Sequence, residues 1–350
     1  MKLDVSDLVA ILGPMVTENA GERLGHDAGA WRFGDRTILI TGAGGSIGSA
    51  VTEMVSRTVP DATVAVLDRD DTLLDTVLHR CSDRRAGRPL VPVLADIRDE
   101  RRVAEVFAEL RPAVVVHAAA LKHAHLLEMF SREAIATNVV GTANVLEAAA
   151  GAGTAFFLNI STDKASAPAG VLGRTKLVSE RLVSWFGGAT DGGMRTASVR
   201  LCNVLGSRGS VLARMVESIN AGRPVPVTHP DVSRYFVTPH DVLWLLSHAL
   251  SAAESGTTLV PTMRRSTRIV DLVTAIGSAI EVDLEIDLIG LRPGDQVDET
   301  LWDPDFESVV RESDGCFFVK VPPLDPAAAR SATVQTLRSL TAPAVSPGVR

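Results

Sequence analysis

Short apolar runs alternate with longer amphipathic stretches through the first two hundred or so residues of the chain. Thr37–Ile40, Thr63–Leu67, Val91–Ala95, Ala113–His117, Ala155–Ile160 and Thr196–Leu201 are largely apolar over strand length, the pattern of strands covered on both faces. Between them apolar residues recur at helical spacing, in Ser46–Arg57, from about Asp71 to Arg80, and most clearly in Arg132–Ala150. This alternation predicts an α/β fold with an open, doubly wound parallel sheet whose ligands lie at the carboxyl edge. Beyond about residue 202 it weakens, Pro, Gly and Arg become frequent, and helices are expected at Val211–Asn220, Pro239–Ser251 and Ile269–Ile280. No internal repeat is visible.

Gly42-Ala43-Gly44-Gly45-Ser46-Ile47-Gly48 sits where the first strand passes into the first helix. Gly42, Gly45 and Gly48 suit a tight turn, bare backbone against a pyrophosphate, and close packing of helix on strand. Ser46 and Ile47 open the helix whose free N–H groups face the phosphates. The second strand ends at Asp68, 20 residues after Gly48, where an acid accepts from the adenosine ribose hydroxyls. Asp96 and Ile97 close the third strand near the adenine, and Ala118 and Ala119 follow the fourth. The sheet is therefore of the Rossmann type. Asp68 disfavours a 2′-phosphate, so NAD is expected over NADP, with Arg69 as a partial counterweight. The organisation expected is an N-terminal extension over 1–35, in which Leu8, Ile11 and Leu12 form an apolar stripe before a Gly-rich exit. A Rossmann NAD(P)-binding domain spans 36–202 and is rejoined by 236–260. A smaller C-terminal substrate lobe comprises 203–235 and 261–330, and a tail runs over 331–350, its last ten or so residues frayed.

A hydrophobic content of 46% with 22% charged residues is that of a globular protein. The net charge of -7 and the lack of a long basic run exclude a general nucleic-acid binder. No apolar stretch approaches the roughly 18 residues of a membrane helix, and MKLDVSDLVAILGPMV is a poor signal peptide, so a soluble cytoplasmic protein away from membranes is expected. Cys81, Cys202 and Cys316 have no metal-ligand or redox spacing and are expected as buried small hydrophobes, with no metal site.

Only five of the 35 basic residues are lysine: Lys2, Lys122, Lys164, Lys176 and Lys320. Three of them fall inside candidate motifs, and lysine can exchange a proton where arginine effectively does not. Ser161-Thr162-Asp163-Lys164 leaves the fifth strand at the carboxyl edge, and Lys176 opens the next helix, one turn after Leu172. An acid and an amine side by side on a buried strand end have proton affinities open to tuning.

TGAGGSIGSA, HAAALKHAHLLEM, TNVVGTANVLEAA, STDKASAPAGVLGRTK, VRLCNVLGSRGSV, THPDVSRYF and GLRPGDQVDETL occur in this order. From about Trp31 to Val321 the chain resembles the polysaccharide-biosynthesis, CapD-like UDP-sugar 4,6-dehydratases of the extended short-chain dehydrogenase/reductase superfamily. The N-terminal segment resembles the stretch that follows the membrane helices of the family's long members, and the chain is expected to lack those helices. The resemblance implies oxidation at C4 of a UDP-linked hexosamine, loss of water across C5–C6 and hydride return to C6. It implies Asp163 as the acid at the C6 hydroxyl, Lys164 as the base at C5, Thr162 on the C4 oxygen and Lys176 on the nicotinamide ribose. Lys122 and His123 would border the sugar. Asn203, Arg208, Ser210, Arg234 and Arg292 would approach the diphosphate, where a guanidinium fork suits paired oxygens. His125 stands where the family commonly has proline and is assigned no role.

The chain departs from the pattern at several points. Leu172 replaces the catalytic tyrosine, as methionine does in the long branch of the family, and the only tyrosine, Tyr235, is far away in sequence. Gly170 and Arg174 replace the asparagine and alanine usual around it, and Asp295-Gln296 replaces Glu-Lys. The expected activity is an NAD-dependent UDP-N-acetylhexosamine 4,6-dehydratase, with C5 epimerisation open and a homo-oligomer expected. The alternatives are a nucleotide-sugar 4-epimerase or a dehydratase of another nucleotide, and a catalytically silent sugar-nucleotide-binding protein.

Overall fold

Each of the six apolar runs lies in one sheet of the computed structural model, which describes residues 2–20, 31, 34–81, 89–189 and 193–342. After α1 (Val5–Ala20), the strands and helices alternate as β1 (Thr37–Thr41), α2 (Ser46–Thr58), β2 (Thr63–Asp68), α3 (Asp71–Cys81), β3 (Val91–Leu94), α4 (Glu100–Leu110) and β4 (Val114–His117). Then come α5 (Ala124–Met129), α6 (Ser131–Ala134), a π-helical segment (Ile135–Gly141), α7 (Thr142–Gly151), β5 (Phe156–Thr162), α8 (Val171–Ala189) and β6 (Arg195–Leu201). The long helix expected over Arg132–Ala150 is thus interrupted by a wider turn. Lys176 lies on the second turn of α8 rather than at its opening.

The remaining chain supplies β7 (Asn203–Val204), α9 (Val211–Asn220), β8 (Val225–Val227), β9 (Ser233–Arg234), β10 (Phe236–Val237), α10 (Pro239–Ala252), β11 (Thr257–Pro261) and β12 (Thr267–Arg268). It closes with α11 (Ile269–Ile280), β13 (Ile286–Leu288), β14 (Ser308–Ser313), β15 (Cys316–Lys320) and α12 (Pro326–Arg330). The sheet order is β14-β15-β11-β6-β5-β4-β1-β2-β3, parallel from β3 to β11 and antiparallel at β15 and β14. β14 and β15 correct the sequence reading, which put residues 308–320 in the smaller lobe.

Alternate strand residues feed two cores, as a sheet buried on both faces requires. Ile38, Ile40, Val64, Val66, Val114 and Val116 pack under α2 and α10, whereas Leu39, Ala65, Leu67, Val115 and Phe157 pack under α4, α7 and α8. A third core makes the smaller lobe, and α1 belongs to it: Leu8, Leu12 and Val16 lie with Leu212, Met215, Leu272 and Ile276. The N-terminal helix is therefore a built-in part of that lobe. The start of the expected tail is also packed, with Leu337 buried beside α7 and α8 and Arg330 paired with Glu147 at 2.5 Å. The Gly-rich exit after α1 and the last residues of the tail lie outside the described residues. Among the described residues no helix is long and apolar enough to cross a membrane.

Strand register fixes the site. Thr41 pairs with Leu67 and His117, His117 with Asn159, and Thr162 with Leu201. The Gly-rich turn, Asp68, the loop after β4, Asp163 and Asn203 therefore emerge along one edge.

Candidate active site

The turn after β1 is built of backbone in close contact. Gly42 has φ +65, and a Cβ there would lie 2.6 Å from the Ala119 backbone. A Cβ on Gly48 would lie 2.1 Å from the Gly42 carbonyl, so only glycine lets α2 start this close to the strand. No side chain caps α2 at Gly45, which leaves its N-terminal N–H groups for an anion. Asp68 is buried behind the turn and accepts from Gly44 N–H at 2.8 Å. Arg69 faces Asp96 at 3.7 Å, and Asp96 also takes Arg98 at 2.6 Å. Burial opposes the charge of Asp96, but the hydrogen bonds from Arg98 prevail and hold its carboxyl below the usual range. Ala118 N–H donates to Thr41 O at 3.1 Å, and Ala119 N–H to Thr41 Oγ1 at 3.4 Å. These residues fit a dinucleotide.

The π segment explains the motif TNVVGTAN. Asn138 bonds both the N–H and C=O of Leu121, at 2.8 and 3.0 Å, and also Thr175 Oγ1 at 3.1 Å. Gly141 admits Ile97, whose Cδ1 would lie 2.7 Å from an added Cβ. Asn144 donates to Ile97 O at 2.9 Å. One widened helix turn thereby ties down the loops after β3 and β4 together with α8, a placement in keeping with the frequent use of π-bulges at functional sites.

At the end of β5, Thr162 Oγ1 donates to Asp163 Oδ1 at 2.9 Å, and Lys164 Nζ donates to the same oxygen at 3.2 Å. The sequence reading missed the third member. Glu299, from the GDQVDET stretch, places Oε1 2.6 Å from Lys164 Nζ and 3.0 Å from Arg234 Nε, and its Oε2 accepts from Asn203 Nδ2 at 3.1 Å. Burial works against the Lys164 ammonium, but Asp163 and then Glu299 more than offset it and push its proton affinity up. Burial, followed by the negative charge of Asp163, pushes Glu299 up to about 7. Asp163 is held low: burial opposes its charge, but Lys164 and hydrogen bonds from its neighbours outweigh it. The buried Asp163 Oδ2 has no hydrogen-bond partner among the described residues.

Lys176 lives differently. It is buried on α8, and burial brings it down to about 8 against the weaker pull of Glu180. Nearby His117 is held between Thr41 Oγ1 at 2.8 Å and Thr142 Oγ1 at 3.1 Å; burial and then Lys176 bring it to about 3, so it stays neutral. Leu172 is 6% exposed and packs with Leu127 and Ala134 in an apolar wall under α5. A Cβ on Gly170 would lie 2.6 Å from Glu128 Oε1, which accepts from Val171 N–H at 2.6 Å. Arg174 turns to Thr341 Oγ1 at 3.3 Å, toward the C-terminal segment.

The candidate diphosphate ligands separate. Arg208 lies on the Gly-rich turn: its N–H donates to Ser46 Oγ at 3.1 Å and its guanidinium to Gly44 O, with Lys122 Nζ on its carbonyl at 2.8 Å. Arg234 is spent inside the protein, on Glu299, Ser233 O, Val297 O and Gln296 O, and Asn203 on Glu299 and Tyr235 O. Both side chains converge on one buried carboxylate that needs partners. Arg292 is held by Asp295 at 3.0 Å. Arg214, absent from the sequence reading, lies near Arg292 and His123; burial and then Arg292 lower its proton affinity. Burial and then Arg208 do the same to Lys122, and burial and then Lys122 to His123. Ser210 Oγ is buried with no partner among the described residues. This crowding of cations suits an anionic ligand. Among the described residues no group of three His, Cys, Asp or Glu side chains is placed to hold a metal ion.

Comparison with known proteins fits this arrangement. The model of a family described as polysaccharide biosynthesis protein matches residues 38–320. The chain is 38% identical over 273 residues to the capsular polysaccharide biosynthesis protein CapD of Staphylococcus aureus, covering 76% of this chain and 45% of that one. It thus spans about half the length of that relative. A UDP-N-acetylglucosamine 4,6-dehydratase (inverting) of Campylobacter jejuni is 28% identical over 82% of this chain and 83% of its own. A UDP-glucose 4-epimerase of Rickettsia rickettsii is 30% identical over 77% and 78%. Among solved structures, Pen from Bacillus thuringiensis superposes with a TM-score of 0.74 at 28% identity, over 83% of this chain and 90% of that one. The chain belongs to the polysaccharide biosynthesis protein family.

Proposed function

We propose that the chain is an NAD-dependent nucleotide-sugar 4,6-dehydratase that takes a UDP-N-acetylhexosamine. The observation that carries this reading is the acid–amine pair at the end of β5, Asp163 and Lys164 in hydrogen-bond contact at 3.2 Å. Shuttling a hydride to and from C4 asks for no such pair, whereas removing a C5 proton and a C6 hydroxyl asks for both members. A nicotinamide dinucleotide supplies the oxidation at C4 and the later reduction at C6.

The residues that would hold it are Gly42, Gly45, Ser46, Ile47 and Gly48 at the phosphates, and Asp68 at the adenosine ribose. Ile97, Ala118 and Ala119 would line the slot, and Lys176 would lie at the nicotinamide ribose. Asp68 repels a 2′-phosphate, and Arg69 is turned to Asp96, so NAD is favoured over NADP. Leu172 accepts no proton, so the C4 hydroxyl gives its proton to the Lys176 amine, directly or through one water; a value of about 8 suits a base working near neutrality. Thr162 orients the C4 oxygen. Once C4 is a ketone, the C5 proton is acidic: the Lys164 amine removes it, and Asp163 protonates the C6 oxygen as water leaves. Lys122, His123, Arg214 and Arg292 would receive the UDP diphosphate.

The test is incubation with a panel of UDP-sugars, followed by mass spectrometry. Loss of one water from a UDP-N-acetylhexosamine is expected. A product of unchanged mass and inverted C4 would instead support the epimerase reading, which the Rickettsia relative favours.

A further inference from the structure

Residues 206–210 join β7 to α9 and cross from the lobe to the Gly-rich turn. Leu205 opens the segment, buried in the lobe core with Leu8 and Leu12, its N–H on Val237 O at 2.9 Å. Two turns follow, with Ser207 N–H on Val204 O at 3.2 Å and Ser210 N–H on Ser207 O at 3.1 Å. Gly206 and Gly209 take φ +74 and +69, a conformation that favours glycine. Both are also closely backed. A Cβ on Gly206 would lie 2.9 Å from Val9 Cγ2 of α1, and one on Gly209 would lie 3.0 Å from His123 Cε1.

From this base the segment reaches two loops that are far apart in sequence. Arg208 N–H donates to Ser46 Oγ at 3.1 Å and its guanidinium to Gly44 O, both at the turn after β1. Lys122, after β4, donates from Nζ to Arg208 O at 2.8 Å. β1 and β4 are neighbours, and the strand order reverses between them, with β2 and β3 on one side and β5 and β6 on the other. An open α/β sheet takes a dinucleotide at such a crevice, with the phosphates at the helix N-terminus. Residues 206–210 therefore lie across its mouth. Neither Arg208 nor Lys122 has an acid as ion-pair partner among the described residues; each rests on a backbone carbonyl. A guanidinium so placed suits a pyrophosphate, whose paired oxygens match its fork.

We propose that residues 206–210 form a strap that holds the dinucleotide in its crevice. Arg208 pins the strap to the Gly-rich turn and to the pyrophosphate, Lys122 fastens its other side, and α1 braces its base through Val9. The dinucleotide enters and leaves only when the strap lifts. The inference rests on the dinucleotide reading of the Gly-rich turn, and it gives the N-terminal helix a task at the site. A bound pyrophosphate brings negative charge to two cations that otherwise repel one another, and so favours the closed strap.

The test is dinucleotide exchange, read in stopped flow by NADH fluorescence with no sugar present. Release from the loaded protein is started with a large excess of NAD+. Binding is started by mixing NADH with protein freed of dinucleotide, at an ionic strength that screens long-range attraction. Arg208→Ala should release NADH about 10- to 100-fold faster, as for loss of a hydrogen bond to a charged group. It should also bind NADH faster, because no strap has to lift; a plain ligand contact acts mostly on release. Val9→Ala leaves Arg208 in place but withdraws the brace, and should also speed release. In the wild type the backbone amides of 206–210 should exchange with deuterium more slowly once NAD+ is bound. Unchanged release in Arg208→Ala would overturn the proposal. So would faster release without faster binding, which would make Arg208 an ordinary ligand contact. Release at the wild-type rate in Val9→Ala would take α1 out of the device. A wild type that takes up no NADH would instead count against the dinucleotide reading itself.

Discussion

Two lysines share one edge of the sheet in opposite circumstances. Lys164 stands between Asp163 and Glu299, and the two carboxylates hold its proton in place. Lys176 is buried on α8 with only the weaker influence of Glu180 to favour its charge, and burial drives it to about 8. The same side chain is thus an ammonium that must be unlocked in one place and a ready base in the other. Partners, more than depth of burial, decide which. Under the proposed dehydratase reading, that difference puts oxidation at α8 and elimination at the end of β5.

The comparison breaks most severely if the β5 side loses its acid. Asp163→Asn should abolish water loss, by about 10²–10⁴-fold, while NADH still forms on mixing with substrate; rapid-quench mass spectrometry beside stopped-flow absorbance checks this. On the α8 side, Lys176→Arg carries a charge that is never released near neutral pH. It should slow NADH formation by about 10²-fold or more. In the wild type the Lys176 amine becomes free as pH rises through about 8, so oxidation should speed up over that range. A flat stopped-flow profile would take Lys176 out of the role.

A third test concerns what holds Glu299 in reach of Lys164. Arg200 is fully buried between Glu180 at 2.7 Å and Glu307 at 2.5 Å and also holds Leu301 O at 3.0 Å, two residues from Glu299. Arg200→Met would leave two carboxylates buried without their cation. A loss of about 3–5 kcal/mol in unfolding free energy is expected by chemical denaturation. The smallest effect concerns Leu172. Leu172 is enclosed by Leu127 and Ala134, so Leu172→Tyr should overfill that wall, cost about 1–3 kcal/mol and leave oxidation no faster. Faster NADH formation would show that the wall yields and that a phenol is useful there.

The sheet was legible because parallel strands buried on both faces are continuous apolar runs, and all six stand out. β14 was not, because it is a mostly exposed edge strand with charged residues and reads as loop. Of the site, Gly42 to Gly48, Asp68, Asp163, Lys164 and Lys176 were visible in local motifs. Glu299 was hidden in the polar stretch Asp298-Glu299-Thr300, where no periodicity sets it apart. Its meaning lies in the lobe folding it back onto Lys164. The contacts of Arg234 and Asn203 were hidden for the same reason: a sequence shows a cation and an amide but not the buried acid they meet. The short lysine inventory was a useful signal, and it also makes the central claim measurable.

With five lysines in the chain, the side-chain amine of each can be followed by NMR through a pH titration and assigned by single replacement. The account predicts that Lys176 titrates near 8 while Lys164 stays charged past the ordinary lysine value of about 10.4. If the two titrate together at the ordinary value, or Lys164 loses its proton first, the division of labour between Lys176 and Lys164 is wrong.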